Sequence, residues 1–128
     1  MSAPRQLIVV DAANVVGSRA DGWWKDRAGA ARRLLTALAE LTTRLPDTTD
    51  ITVILEGAAK PAADTPTPPR LRILLADGSG DDAIVEAVTA ATDYAELTVV
   101  TADRELRTRV TAHNATTVGP TWLWNQLT

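Results

Sequence analysis

Acidic side chains follow the short apolar runs of this sequence, at the points where the runs stop. Asp11 comes directly after one run, Glu56 directly after a second, and Asp103 three residues after another. In a parallel sheet every strand ends at the same edge, where ligands bind. If the runs are parallel strands, their carboxylates meet at that edge, and a divalent cation would relieve their mutual repulsion. The acids that follow the remaining run are Asp77, Asp81 and Asp82.

The kind of metal follows from the ligands that the chain can offer. The sequence contains no Cys and a single His, His113, which has no partner at ligand spacing and is expected at the surface or at a helix end. Oxygen ligands alone favour a hard ion, Mg²⁺ or Mn²⁺, over zinc. Such an ion can activate water and bind a phosphoryl oxygen, which is the chemistry of metal-assisted phosphodiester hydrolysis.

Several of these acids also have a purely structural interpretation. Asp81 and Asp103 are good helix N-caps, and Asp82 in a first helical turn is favoured by the helix dipole. Ser79 is an alternative cap that would free both neighbouring aspartates for a ligand. The acids interpreted as solvated or loop-ordering are Glu56 and Asp77.

The apolar runs and the segments between them predict an α/β fold. Short β-branched runs suit strands buried on both faces, and they predict strands at 7–10, 51–55, 71–75 and 97–100, with a weaker one at 116–118. Helical spacing of apolar residues predicts helices at 30–45, 82–92 and 104–114, and a last helix from residue 119. Alternating strands and helices imply a parallel sheet covered on both sides. The segments expected as loops are 11–29 and 57–70.

Length and charge narrow the classes of function. The 128 residues fit one domain over 1–128, with a net charge of -3 and a pI near 5.0. The basic footprint of a protein that grips long stretches of phosphate backbone is missing. No segment reads as an export signal or a membrane span, so a soluble, cytoplasmic protein without a membrane partner is expected. No glycine-rich turn follows the first strand, which argues against dinucleotide binding.

Three segments carry a resemblance to a known family. They are Ile8–Gly17, a strand followed by Asp, two small residues and Asn; Gly78–Val85, an acidic motif that opens a helix; and Val99–Leu106, a strand followed by Thr and an acidic turn. In this order and spacing they resemble the PIN-like nuclease superfamily, in its NYN branch, and are most similar to the YacP-like ribonucleases of bacteria.

The resemblance implies a Rossmann-like, three-layer α/β/α fold with a mostly parallel sheet of four or five strands. It also implies metal-dependent cleavage of RNA with Mg²⁺ or Mn²⁺. By this resemblance Asn14 would orient Asp11 or a substrate phosphate, and Arg32 would face phosphate. The acid that many PIN domains carry on a middle helix has no clear match, and Glu86 is the candidate. The residues implied for catalysis and metal binding are Asp11, Asn14, Asp82 and Asp103, with Asp81 close by.

The predicted loop after the first strand interleaves basic and aromatic residues around Trp23 and Trp24. Stacking rings and phosphate-pairing cations suit single-stranded or structured RNA. In the alternative interpretation, one of the two tryptophans covers the core. The candidate substrate-binding residues are Arg19, Trp23, Lys25, Arg27, Arg32 and Arg104.

Three functions therefore compete. The first is a metal-dependent ribonuclease that hydrolyses RNA with metal-activated water. The second is a non-catalytic RNA-binding or regulatory domain, which the acidic pI and the incomplete acid set favour. The third is a hydrolase of a small phosphate or nucleotide, although Ala13 replaces the second acid of the Asp-x-Asp motif that one such class requires. Trp122 or Trp124 could also mediate a homodimer.

Overall fold

The computed structural model describes residues 4–128; residues 1–3, which belong to the predicted domain, lie outside this range. Its centre is a five-stranded sheet in which every described pairing is parallel, in the order β3-β2-β1-β4-β5. All five strands lie where the apolar runs predicted them. The strands are β1 Gln6–Asp11, β2 Thr49–Leu55, β3 Leu71–Leu75, β4 Glu96–Val100 and β5 Thr116–Val118.

Helices cover both faces of this sheet. Because side chains alternate along a strand, β1 places Ile8 and Val10 in one core and Leu7 and Val9 in the other. The predicted α/β fold with three layers is thereby confirmed. The helices are α1 Ala12–Gly17, α2 Arg27–Thr42, α3 Gly80–Ala90, α4 Arg104–Thr111 and α5 Pro120–Leu127. The first core takes side chains from α1, α2 and α5, and the second takes them from α3 and α4.

The segment 11–29 is not the loop that was predicted. It contains α1, a short 3-10 helix at Trp23–Lys25 and the start of α2. The cause is local capping: the Asp11 carboxylate accepts from the Asn14 amide to begin α1, and the Asp26 carboxylate accepts from the Gly29 amide to begin α2.

The segment 57–70 also begins with regular structure, a 3-10 helix at Gly57–Asp64. Arg32 of α2 holds this helix through bonds to the Asp64 carboxylate and the Pro61 carbonyl. Only the remainder of the segment up to β3 is irregular, so this prediction was half wrong.

The order of the strands decides where a site can form. The chain runs outward from β1 through β2 to β3, and then returns to the other side of β1 for β4 and β5. The carboxyl ends of β1 and β4 therefore flank the switch point, where ligands bind in open parallel sheets. Across residues 4–128, no helix combines the length and the apolar character that crossing a membrane requires.

Candidate functional site

Asp11 is the acid at the centre of the site. It is the last residue of the central strand β1 and is only 7% exposed. Its carboxylate accepts a hydrogen bond from the Thr101 hydroxyl at 3.0 Å and one from the Asn14 amide at 3.3 Å. Both of its oxygens are therefore held in a fixed orientation at the switch point.

Thr101 connects this carboxylate to the neighbouring strand end. It follows β4 and is fully buried, and its hydroxyl also accepts from the Asp103 amide at 3.2 Å. Asp103 in turn caps α4 by accepting from the Leu106 amide at 2.9 Å. The family resemblance included this Thr only as part of a motif, and the sequence analysis did not assign it a role. The sequence signal for this role was a polar Thr directly after the apolar run 97–100.

The Asn14 side chain ties the same two strand ends together. Its amide oxygen accepts from the Ala102 amide at 2.8 Å, which fixes the turn that carries Asp103. Asn14 thus orients Asp11 through its backbone and the Asp103 turn through its side chain. The contact to Asp11 comes from the backbone amide of Asn14, so the role predicted for its side chain toward Asp11 or a substrate phosphate stays a prediction.

Glu56 brings a third strand end to the site. It follows β2, is half-buried, and accepts from the Gly80 amide at 2.7 Å. A Cβ atom at position 80 would lie 2.7 Å from the same Glu56 oxygen, so the close approach depends on glycine. Glu56 orders the start of α3, as its loop-ordering interpretation predicted, and it also lies among the other acids.

Asp81 and Asp82 diverge at the start of α3. The Ser79 hydroxyl caps this helix by accepting from both of their amides, so neither carboxylate is used for capping. Asp82 forms an ion pair with Arg109 of α4 at 2.9 Å, and its side chain is 66% exposed. Asp81, in contrast to the exposed Asp82, is half-buried.

Charge repulsion identifies the acids that face one another. Burial raises the pKa of Asp11 to about 6, and the charges of Asp81 and Glu56 add to this shift, while the bonds from Thr101 and Asn14 oppose it. Burial also raises the pKa of Asp81, and the charges of Asp103 and Glu56 contribute further. We call these four residues, Asp11, Glu56, Asp81 and Asp103, the acid cluster. Neither shift has a contribution from Glu86, which is exposed.

The donor set of the acid cluster suits a hard divalent cation, because it consists of carboxylate oxygens that form no ion pair with a Lys or Arg of residues 4–128, although the charge of Arg109 lowers the pKa of Asp81. Among residues 4–128, however, no three acidic or histidine side chains converge closely enough to form a preassembled metal site.

The predicted basic contacts fall into two groups. Arg32 is bound to Asp64 at 3.1 Å, and Arg19 lies over the Trp124 ring at 3.8 Å, so both stabilise the fold. Trp124 also donates to the Ser18 hydroxyl at 2.9 Å. The second group is solvent-exposed and consists of Lys25, Arg27 and Arg104; Arg104 directly follows Asp103.

A cavity of about 270 Å³ opens beside the acid cluster. Glu56 and Gly78 line it on the sheet side, and Trp23 and Arg27 line it on the helix side. The Arg27 guanidinium lies 5.4 Å from the centre of the Trp23 ring. Trp24 is 54% exposed and lies outside the lining, so the two adjacent tryptophans have different environments.

No protein-family model and no curated protein matches the chain. Among solved structures it is similar to a mutant of Rae1 (YacP) from Bacillus subtilis, with 16% identity and a TM-score of 0.74, covering 94% of this chain and 73% of that one. It is also similar to a mutant of T5 5′-exonuclease, with 16% identity and a TM-score of 0.56, covering 92% of this chain but only 51% of that one. The chain therefore shares the fold of YacP, the fold that the resemblance of its three motifs predicted.

Proposed function

We propose that the protein is a ribonuclease that hydrolyses RNA phosphodiester bonds with the help of Mg²⁺ or Mn²⁺ held at the acid cluster. One observation carries the proposal: the ends of β2 and β4 and the start of α3 bring three further carboxylates near the buried Asp11 at the end of β1, and the pKa of Asp11 is raised to about 6. Unneutralised carboxylates at a switch point are costly for folding and are typical of functional sites.

Asp11, Asp81 and Asp103 would hold the cation, with Glu56 beside them. When bound, such an ion lowers the pKa of a coordinated water and polarises a phosphoryl oxygen. Asp11 must lose its proton to act as a ligand, and the Thr101 and Asn14 donors favour that ionised form. The cap at Asp103 leaves its second oxygen outside the bond to Leu106. We prefer Asp81 to the predicted Asp82, because Asp82 is already paired with Arg109.

The relatives support a nucleic acid as the substrate. T5 5′-exonuclease is by its name a nuclease, and it shares the fold of this chain. The YacP-like motifs favour RNA over DNA. Lys25 and Arg104 would pair with phosphates, since both are exposed and Arg104 directly follows Asp103.

The decisive experiment measures cleavage of a labelled single-stranded RNA with Mg²⁺ or Mn²⁺ and with a chelator. The chain offers a matched pair of variants, because Asp81 and Asp82 are adjacent acids in one helical turn. We expect Asp81→Asn to abolish metal-dependent cleavage and Asp82→Asn to retain most of it. The reverse result would return the ligand role to Asp82.

Two other results would overturn the proposal. RNA binding without cleavage by the metal-loaded protein would identify a non-catalytic RNA-binding domain. Release of phosphate or pyrophosphate from free nucleotides, with RNA left intact, would identify a small-phosphate hydrolase.

Sedimentation of the same sample would test the predicted homodimer, for which Trp122, at 37% exposed, offers a more accessible surface than Trp124.

A further inference from the structure

We infer that the cavity beside the acid cluster binds one unpaired nucleobase of the substrate, which stacks against Trp23. The inference rests on the proposed function for the identity of the strand that reaches the acids. It adds a specific subsite, and with it a requirement that the nucleotide next to the cleaved bond be unpaired.

The lining of the cavity matches the shape and chemistry of a base. Apart from Trp23, Arg27 and Glu56, most of the lining is Ala or Gly, so few side chains fill the space next to the indole. An aromatic ring offers a stacking surface that every nucleobase can use. The volume of about 270 Å³ leaves room for one base.

The position of the cavity connects it to the reaction. Ala12, which lines it, directly follows Asp11, and Glu56 belongs to both the cavity and the acid cluster. A base in the cavity therefore belongs to a nucleotide whose phosphate lies at the acid cluster. The exposed Arg27 guanidinium beside the ring supplies a positive charge for the adjacent backbone.

This geometry excludes a base that remains paired and stacked in a duplex. A base can reach the Trp23 ring in this recessed cavity only after it leaves its helix, so loops, bulges and single strands are favoured. The substrate class that follows is RNA with at least one accessible, unpaired base at the cleavage position.

Trp24 provides a control of the same residue type. Its ring lies edge-on to Trp23, with centroids 6.1 Å apart and an interplanar angle of 89°, and it is 54% exposed. It does not line the cavity. A general effect of removing an exposed tryptophan would appear in both variants, whereas loss of the subsite would appear only in the Trp23 variant.

The test measures binding by anisotropy of a labelled, short, single-stranded oligoribonucleotide with the metal chelated, so that cleavage plays no part. We expect Trp23→Leu to weaken binding by roughly 5- to 150-fold, the range that loss of one stacked base produces. Trp24→Leu should bind close to wild type. An abasic oligonucleotide with the same sugar-phosphate backbone should bind wild type and Trp23→Leu equally weakly. It has no base to stack on Trp23, so the substitution removes nothing from its binding.

A second variant guards against loss of folding at Trp23. A Cβ atom at Gly78 meets no atom within 4 Å, so Gly78→Leu projects a side chain at the cavity without a backbone clash. We expect it to weaken RNA binding as Trp23→Leu does, with the circular dichroism of the folded protein. Equal affinities of the Trp23 and Trp24 variants, or tight binding by Gly78→Leu, would overturn the subsite. Absence of cleavage with intact base-dependent binding would instead overturn only the proposed function.

Discussion

The sheet has an amino edge, where its parallel strands begin, and a carboxyl edge, where they end. Each edge holds an aspartate that accepts a hydrogen bond from a hydroxyl group, yet only the aspartate at the amino edge is paired with a basic side chain. At the amino edge, Asp50 accepts from the Tyr94 hydroxyl at 2.6 Å and forms an ion pair with Arg5, which lies over the Tyr94 ring. At the carboxyl edge, Asp11 accepts from Thr101. No Lys or Arg of residues 4–128 forms an ion pair with Asp11 or with the other members of the acid cluster.

The difference separates stabilisation from function. The amino edge combines opposite charges and a ring in an arrangement that needs no further ligand. The carboxyl edge leaves like charges together, and burial of Asp11 increases the cost of its ionisation. A protein selected only for stability would relieve such repulsion. Like charges that remain together at the switch point therefore mark the site of ligand binding.

The largest expected effect is that of Asp11→Asn on the metal-free protein. Because burial and repulsion raise the Asp11 pKa from 3.8 to about 6, ionising this group destabilises the folded state at neutral pH. One pKa unit corresponds to about 1.4 kcal/mol, so the variant should gain up to about 3 kcal/mol of unfolding free energy. Denaturant titrations of both proteins across a pH series would measure the gain.

The sign of the pH dependence is fixed by linkage. The folded state holds the Asp11 proton more tightly than the unfolded state, so the penalty is fully present above pH 6 and fades as the pH falls towards 3.8. The advantage of Asp11→Asn over wild type should fade over the same window. Mg²⁺ or Mn²⁺ should raise the melting temperature of wild type and not of the variant, which should also lack cleavage activity. A variant that is less stable than wild type at pH 8 would contradict this account.

The next effect is expected at Thr101, which supports the carboxyl edge. Thr101→Val preserves the shape of the side chain, but it removes the donor to Asp11 and leaves the part-buried amide of Asp103 without its acceptor. Loss of one partner of a buried bond costs about 1–3 kcal/mol, so we expect a destabilisation of about 2 kcal/mol. Denaturant unfolding would measure it. Thr101→Ser keeps the hydroxyl and should recover most of the RNA cleavage, which a purely packing role would not explain.

The sequence predicted the fold more completely than the site for a physical reason. Strands buried on both faces must be continuous apolar runs, and β1 and β2, which are buried along almost their whole length, therefore appear directly in the sequence. The helix α1 has only six residues, too few to display a periodic apolar stripe, and it was therefore missed.

The choice between Asp81 and Asp82 depends on tertiary structure. Adjacent residues on a helix point about 100° apart, so only the docking of α3 decides which one faces Asp11. Likewise, Arg32 resembled a phosphate contact until its partner Asp64, 32 residues away, was brought beside it. The edge that collects the acids was predictable, whereas the pairing of each charge was not.

A smaller effect, of opposite sign to that of Asp11→Asn, is expected at the amino edge. Asp50→Asn removes the ion pair with Arg5, whose side chain is 52% exposed, while the new amide can still accept from Tyr94. Partly exposed ion pairs contribute roughly 0.2–1 kcal/mol, so we expect a loss of up to about 1 kcal/mol without any change in cleavage. Unfolding curves at neutral pH would measure it. A gain in stability would show that the two edges do not differ in charge balance.

The smallest effect on stability is expected from Gly80→Ala, which tests Glu56 alone. The added Cβ would lie 2.7 Å from the Glu56 oxygen, so the flexible carboxylate must move and lose its bond to the Gly80 amide. That loss costs about 1 kcal/mol, and replacing a helical Gly by Ala returns up to about 1 kcal/mol, so stability should scarcely change. Cleavage should nevertheless fall, because Glu56 leaves the acid cluster. If Gly80→Ala cleaves RNA as well as wild type does, Glu56 only orders the loop before α3, and the acid cluster is reduced to the three aspartates.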